Sequence, residues 1–447
     1  MTGLKNLDPY GIKWIGLIAE DWSISPVKRH FDIQLGKMLQ NDPKADNDCM
    51  APYLKAANVL WGRVNVDDVP EMWASPGEIM SYEVKDGDLL VCEGGEVGRC
   101  GIVRNPPDKC IIQNALHRVR ARNSSSIGFL MYVLHSVNSS GWFDVLCNKA
   151  TIAHFTGEKF AELRIPIPRP HEQQAIATFL DRETSRIDEL IAKKERQIEL
   201  LQEKRSALIS HAVTKGLDPN LKMKDSGVEW LGEIPEHWEV KKVKNVVLKI
   251  GSGKTPKGGS EVYVDSGIML IRSQNVHFDG LRLDDIAFIE PEIDAEMANT
   301  RVIPGDTLLN ITGASLGRCC IMPANHDLAN VNQHVCIVRP RKDIIDPHFL
   351  YFTMCSHPLQ SQIFANENGT SREGLNFEQV SNLLIPFPPG IIEQQAIIGK
   401  VITNIQKMDI NIAKVNRSID LLREYRTALI SAAVTGKIDL REEVPVS

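Results

Sequence analysis

Arg205-Ser206-Ala207-Leu208-Ile209-Ser210-His211-Ala212-Val213-Thr214 returns as Arg426-Thr427-Ala428-Leu429-Ile430-Ser431-Ala432-Ala433-Val434-Thr435, with eight of ten positions identical. Agreement of that quality at an offset of 221 marks an internal duplication. The match continues upstream. Gly11-Ile12-Lys13-Trp14-Ile15-Gly16, then Glu20-Asp21-Trp22, reappears 216 residues later as Gly227-Val228-Glu229-Trp230-Leu231-Gly232, then Glu236-His237-Trp238. Gly87-Asp88 matches Gly305-Asp306, and Gly98-Arg99-Cys100 matches Gly317-Arg318-Cys319. Ile165-Pro166-Ile167-Pro168 matches Ile385-Pro386-Phe387-Pro388, and Glu172-Gln173-Gln174-Ala175 matches Glu393-Gln394-Gln395-Ala396. A few single-residue insertions account for the drift in offset. The ends of each copy agree and the interiors do not, so one architecture carries two different interiors.

Each repeat closes with a long helical pattern after a proline-rich stop at Pro166, Pro168 and Pro170, or at Pro386, Pro388 and Pro389. In the second copy Val401, Ile405, Met408, Ile412, Val415, Ile419, Leu422 and Leu429 alternate in steps of four and three, with Arg426 filling one gap. The first copy gives Leu180, Thr184, Ile187, Ile191, Lys194, Ile198, Leu201, Arg205 and Leu208. That spacing predicts a coiled-coil seam; an amphipathic helix lying on its own domain is the alternative. About 44 residues at ~1.5 Å each make a helix on the order of 65 Å long. The second head follows the Gly216-Leu217-Asp218-Pro219 stop almost at once, so two paired seams must run antiparallel.

Ahead of each helix lie some 170 residues of short apolar runs, such as Asp88-Leu89-Leu90-Val91 and Val335-Cys336-Ile337-Val338, broken by Gly, Pro and Asp turns. Helical stretches at 128–136 and 347–356 intervene. The fold class expected is α/β: two mixed α/β domains separated by two long antiparallel coiled-coil helices, an internal repeat of pseudo-two-fold character. The expected parts are a first α/β domain at 1–170, a spacer helix at 171–215, a second α/β domain at 216–389 and a second spacer helix at 390–447.

With 447 residues, 43% hydrophobic and 24% charged, the chain belongs to the globular class and needs more than one core. No run of eighteen apolar residues occurs, and the opening has no apolar signal core, so no membrane is expected. Nine cysteines without CxxC spacing suit reduced thiols in a cytoplasm. A net charge of −6 is unpromising for a nucleic-acid binder by itself, but distribution matters more than the sum. No acid falls between Lys109 and Phe143, where Arg118, Arg120 and Arg122 are basic; this is either a phosphate-facing strip or a solvated strand face.

Catalytic signatures are incomplete. Asn105-Pro106-Pro107-Asp108 lacks the aromatic fourth residue that stacks on a flipped adenine. Gly251-Ser252-Gly253-Lys254-Thr255 has Leu248 where a phosphate loop needs its first glycine; a phosphate-gripping amide nest or a solvated hairpin turn remain. The histidines show no metal-ligand spacing. Neither a catalytic residue nor a metal site is expected.

The opening at 227–238, the Pro-x-Pro then Glu-Gln-Gln-Ala helix entry and the Ala-Leu-Ile-Ser-x-Ala-Val-Thr-Gly helix end at 428–436 resemble specificity subunits of type I restriction–modification systems. The resemblance covers both copies. Ala19 stands at the Pro235 position, and Lys215-Gly216 inverts Gly436-Lys437. It implies a non-catalytic, cytoplasmic, DNA-binding subunit that holds two methyltransferase and two restriction (motor) subunits. S-adenosylmethionine, ATP and Mg would sit on those partners and no cofactor on this chain. A fused enzyme, a scaffold unrelated to DNA and a related restriction class are the rival readings.

Base reading uses Arg or Lys on guanine, Asn or Gln on adenine, and hydroxyl side chains on either. The candidates in the first copy are Lys37, Lys55, Asn58, Arg99, Gln113 and Asn114, with Glu93, Glu96, Thr151 and His154 nearby. In the second they are Lys254, Thr255, Arg272, Gln274, Asn275, Ser315, Arg318, Gln333, His334 and Arg372, beside Ser273, Thr312, Asn332, Thr370 and Ser371. Unlike interiors on equivalent scaffolds predict two unlike half-sites of double-stranded DNA with an unread spacer between them.

Overall fold

The computed structural model describes residues 4–6, 14–147, 154–367 and 374–440. The chain divides into two compact units, Met1–Lys194 with Asn416–Ser447, and Glu195–Val415. The first unit holds a six-stranded mixed sheet in the order Phe31–Leu35, Leu116–Ala121, Leu89–Cys92, Cys100–Ile102, Gly62–Val64, Val59–Leu60. Beside it is a three-stranded sheet of Ile111–Ile112, Cys49–Leu54 and Glu71–Ala74. The second unit repeats the plan with four strands, Val247–Ser252, Val335–Pro340, Thr307–Asn310 and Cys319–Ile321. Its three-stranded partner is Ala287–Ile289, Ile268–Ile271 and Ala329–Val331. A helix packs on each main sheet, Ile127–Ser139 or Pro347–Cys355, with Phe129 and Phe349 fully buried.

Repeated residues with repeated jobs hold both sheets. Asp88 and Asp306 are buried and take bidentate contacts from Arg120 (2.7 and 2.8 Å) and Arg339 (2.8 and 2.8 Å). Each carboxylate also caps a turn, from Lys85 N or Ile303 N. Gly36 and Gly253 mark close crossings: a Cβ there would lie 2.3 Å from the Gln113 carbonyl oxygen or 1.5 Å from that of Val331.

The long helices are Pro170–Lys215 and Ile391–Val434. Their shared Glu-Gln-Gln-Ala entry is a lock. Buried Gln173 accepts from Ser126 N and donates to the Pro168 carbonyl, both at 2.9 Å, tying the new helix to the start of the sheet-packed helix. Gln394 does the same with Asp346 N (2.8 Å) and the Pro388 carbonyl (3.0 Å). Both helices end at glycines in the left-handed region, Gly216 (φ 75°) and Gly436 (φ 71°), the usual C-terminal stop.

In the first unit the opening turns of the first helix run antiparallel to the last turns of the second. Ile176, Leu180 and Ile187 share a core with Leu429, Ile430, Ala433 and Val434. Arg426 donates to Asp188 at 2.9 Å. In the second unit the copies exchange roles: Ile209, Ala212 and Val213 meet Ile397, Ile398, Val401 and Ile405. Arg205 donates to Asp409 at 2.9 Å. Each unit thus has the same arrangement, in which the best-matched decapeptide is a helix end that completes the core built by the other copy.

Along the predicted seam, Ile187, Met408, Val415, Ile419 and Leu429 are buried, while Ile191, Ile198, Leu201, Leu208, Ile412 and Leu422 are half-buried. Next to Leu208, Ile209 is the deeper residue. The residues lying between seam positions of the first helix are exposed, Glu183 excepted.

Candidate nucleic-acid interface

In the second unit the chain leaves Val247–Ser252 and crosses the turn at 332–334, with Gly253 N donating to the carbonyls of Asn332 (3.2 Å) and Val335 (3.4 Å). Gly251–Thr255 is therefore a crossing point, not the hairpin turn or amide nest considered from sequence. The crossing puts Lys254 and Thr255 on the surface beside Gln333 and His334. The Thr255 hydroxyl donates to Gln333 Oε1. Gln333 Nε2 lies 2.8 Å from His334 Nε2, and Thr312 Oγ1 lies 2.6 Å from His334 Nδ1. An amide nitrogen only donates, so His334 Nε2 accepts and the ring proton sits on Nδ1, facing Thr312. The backbone under this chain is clamped: His334 N donates to Asn332 Oδ1 (3.1 Å) and Ile311 N to the His334 carbonyl (3.0 Å). Lys254 is exposed and, among the described residues, has no ion-pair partner.

A second cluster follows Ile268–Ile271. Arg272 donates to the Asp285 carbonyl at 2.7 Å and stands 5.7 Å from the Tyr263 ring centroid, and Gln274 donates to the Asp285 carboxylate. Ser315 and Arg318 are half-buried one strand away.

The first unit uses the same positions differently. Lys37, the counterpart of Lys254, is buried and bound to Glu78 (2.7 Å) and Gln40 (2.8 Å). It braces the loop and is not available to DNA, contrary to the expectation from sequence. The Lys37 ammonium, the largest influence, holds the Glu78 carboxyl below its ordinary range. Asn58 and Asn275 are corrected likewise. Each is buried, with its amide closing the turn it follows: Asn58 bonds Lys55 N (3.1 Å) and the Asn65 carbonyl (3.2 Å), Asn275 bonds Arg272 N (2.9 Å) and the Arg282 carbonyl (2.9 Å). Lys55 is exposed, and Gln113 and Asn114 are half-buried beside the crossing at Gly36. Arg99 is held by Glu96 (2.9 Å) and the Ala56 carbonyl (3.0 Å). Thr151, Thr370, Ser371 and Arg372 lie outside the described residues.

The acid-free stretch is not a phosphate strip. Buried Arg118 donates to the Ser81 and Glu83 carbonyls and to Gln34, Arg120 pairs with Asp88, and Arg122 pairs with Asp32. Sequence reasoning missed Met38, which is 75% exposed next to Lys37 and corresponds to Thr255. Aligning the two glycine crossings would have found it. Among the described residues no helix is long and apolar enough to cross a membrane, and no group of His, Cys, Asp and Glu is arranged to hold a metal.

Two α/β heads with exposed polar turns over a conserved frame, each followed by a long helix, define a duplicated recognition protein. Residues 19–200 and 235–421 each match the type I restriction modification DNA specificity domain, and the chain belongs to that family. It is 24% identical over 358 residues to the type I restriction enzyme MjaVIII specificity subunit of Methanocaldococcus jannaschii, spanning 79% of each chain. It is 21% identical over 438 residues to the EcoKI specificity subunit of Escherichia coli, covering 95% of this chain and 90% of that one. Among solved structures, it superposes on a chain from a study of type I R-M complex assembly and conformational transition with TM-score 0.71 (15% identity; 94% and 99% covered). The HsdS subunit of Thermoanaerobacter tengcongensis gives 0.53 (16% identity; 94% and 98% covered). The chain is a specificity subunit for DNA sequence recognition.

Proposed function

We propose that each copy reads one half of an asymmetric, split DNA target and that the helices fix the distance between the halves. One observation carries this reading: on equivalent frames the first unit presents Met38, Gln113 and Asn114 where the second presents Thr255, Asn332 and Gln333. A good bidentate base contact discriminates by about 1–3 kcal/mol, so one head is marginal against a genome; two on one chain add avidity. The working parts remain the recognition domains at 1–170 and 216–389 and the spacer helices at 171–215 and 390–447. Chemistry belongs to partners: two methyltransferase and two restriction subunits carrying S-adenosylmethionine, ATP and Mg, with this chain non-catalytic in a cytoplasmic complex. Exposed Leu200, Ile410, Leu421 and Tyr425, off the seam, suit helix-face docking of such partners.

The test varies the spacer between the two half-sites in duplexes offered to the purified complex. One spacer length should bind best by tenfold or more. Affinity indifferent to spacing would remove the ruler.

A further inference from the structure

The polar chain in the second unit has no counterpart in the first. Where Thr255, Gln333, His334 and Thr312 stand, the first copy has Met38, Asn114, Ala115 and Gly94. All four positions change together while Gly36/Gly253 and the two buried Asp–Arg pairs beneath them are kept. Gln333 is exposed, yet both ends of its amide are engaged by neighbours: Thr255 on Oε1, His334 on Nε2. Such a side chain has lost its rotamer freedom before a ligand arrives, which is how a preorganised contact is built.

Each neighbour uses one site of the amide. One lone pair on Oε1 and one hydrogen on Nε2 are left over, in one plane. An acceptor beside a donor complements the N6 amino group and N7 of adenine in the major groove; guanine offers two acceptors there and cytosine a donor alone. We infer that Gln333 reads an adenine in the half-site of the second copy, with Thr255 and His334 as positioning residues that hold its amide edge outward. This rests on the DNA-reading function proposed above. Exposed Lys254 at the same crossing suits a phosphate contact that sets register.

The probe is a randomised duplex library offered to the full chain co-purified with its partner subunits, with the bound fraction sequenced. Wild type should select an adenine at a position that Gln333→Ala flattens, by roughly 10- to 100-fold, leaving the other positions unchanged. Gln333→Glu, which only accepts, should move that position towards cytosine, and it keeps the test open should the alanine variant fold poorly. Thr255→Val and His334→Phe should flatten the same position more weakly, with Thr255→Ser restoring it. The inference is overturned if Gln333→Ala leaves every position intact, weakens all of them equally, or flattens a base other than adenine. Wild type without any sequence preference would overturn the DNA-reading function together with it.

Discussion

In the first unit the hairpin-tip Trp61 stands edge-on to His135 (centroids 5.1 Å apart), and His135 Nε2 accepts from Arg426 at 3.2 Å. Trp61 Nε1 donates to Glu96 at 2.6 Å, and Glu96 in turn holds Arg99. In the second unit Phe278, Cys355 and Arg205 occupy the matching positions and line an open cleft of about 720 Å³. Ser315 replaces Glu96 there, and among the described residues Arg318 has no ion-pair partner. Both junctions keep the Arg–Asp pair between long helices. Only the first extends it through a ring stack to the turn that follows Lys55. Duplication has preserved what the backbone needs and released what side chains alone decide: the first unit braces its hairpin through the Arg426–His135–Trp61 relay, the second through the Tyr351 hydroxyl on the Phe278 carbonyl (2.6 Å) and His357 N on Ser210 Oγ (2.9 Å).

The largest effect should come from the frame. Arg339→Ala leaves Asp306 charged, fully buried and unpaired, and should destabilise the second unit by about 3–5 kcal/mol in chemical unfolding. Arg120→Ala should cost less, because that guanidinium is 35% exposed against 21% for Arg339. Next comes the brace. Trp61→Ala should cost the first unit about 3 kcal/mol, while Phe278→Ala, at a residue 45% exposed, should cost under about 1. Equal losses would erase the distinction between the junctions.

Acid should separate the units as well. Burial first, and the Arg426 charge second, push His135 down to about 4. The folded unit keeps this ring neutral while the unfolded chain, near 6.5, takes up a proton as pH falls. Stability is complete above pH 6.5 and is lost on acidification towards 4, by about 1–2 kcal/mol at pH 5. His135→Cys, the residue of the second unit, should flatten that slope in a pH series of unfolding curves. The smallest effect belongs to Arg205→Ala, whose half-exposed partner Asp409 limits it to roughly 0.5 kcal/mol, less in high salt.

Architecture was legible because it repeats. The heptad of the second helix, the Glu-Gln-Gln-Ala entry and the decapeptide at each helix end all serve packing, and packing leaves periodic patterns. The reading face was only partly legible. Lys37 and Lys254 share a position and a residue type, yet Glu78, forty-one residues downstream, buries the first of them. Asn58 and Asn275 are polar turn residues by composition, and only three-dimensional bonding reveals that their amides are occupied. Arg118 and Arg122 found partners on strands far away in sequence, which no charge count anticipates.

The most direct test of two unlike reading heads exchanges residues 30–165 for the corresponding segment of another family member and maps the bound or methylated sequence before and after. Two unlike heads require two sequence blocks with a fixed gap, of which one changes while the other block stays as it was. A single uninterrupted block, or a change in both, would contradict it.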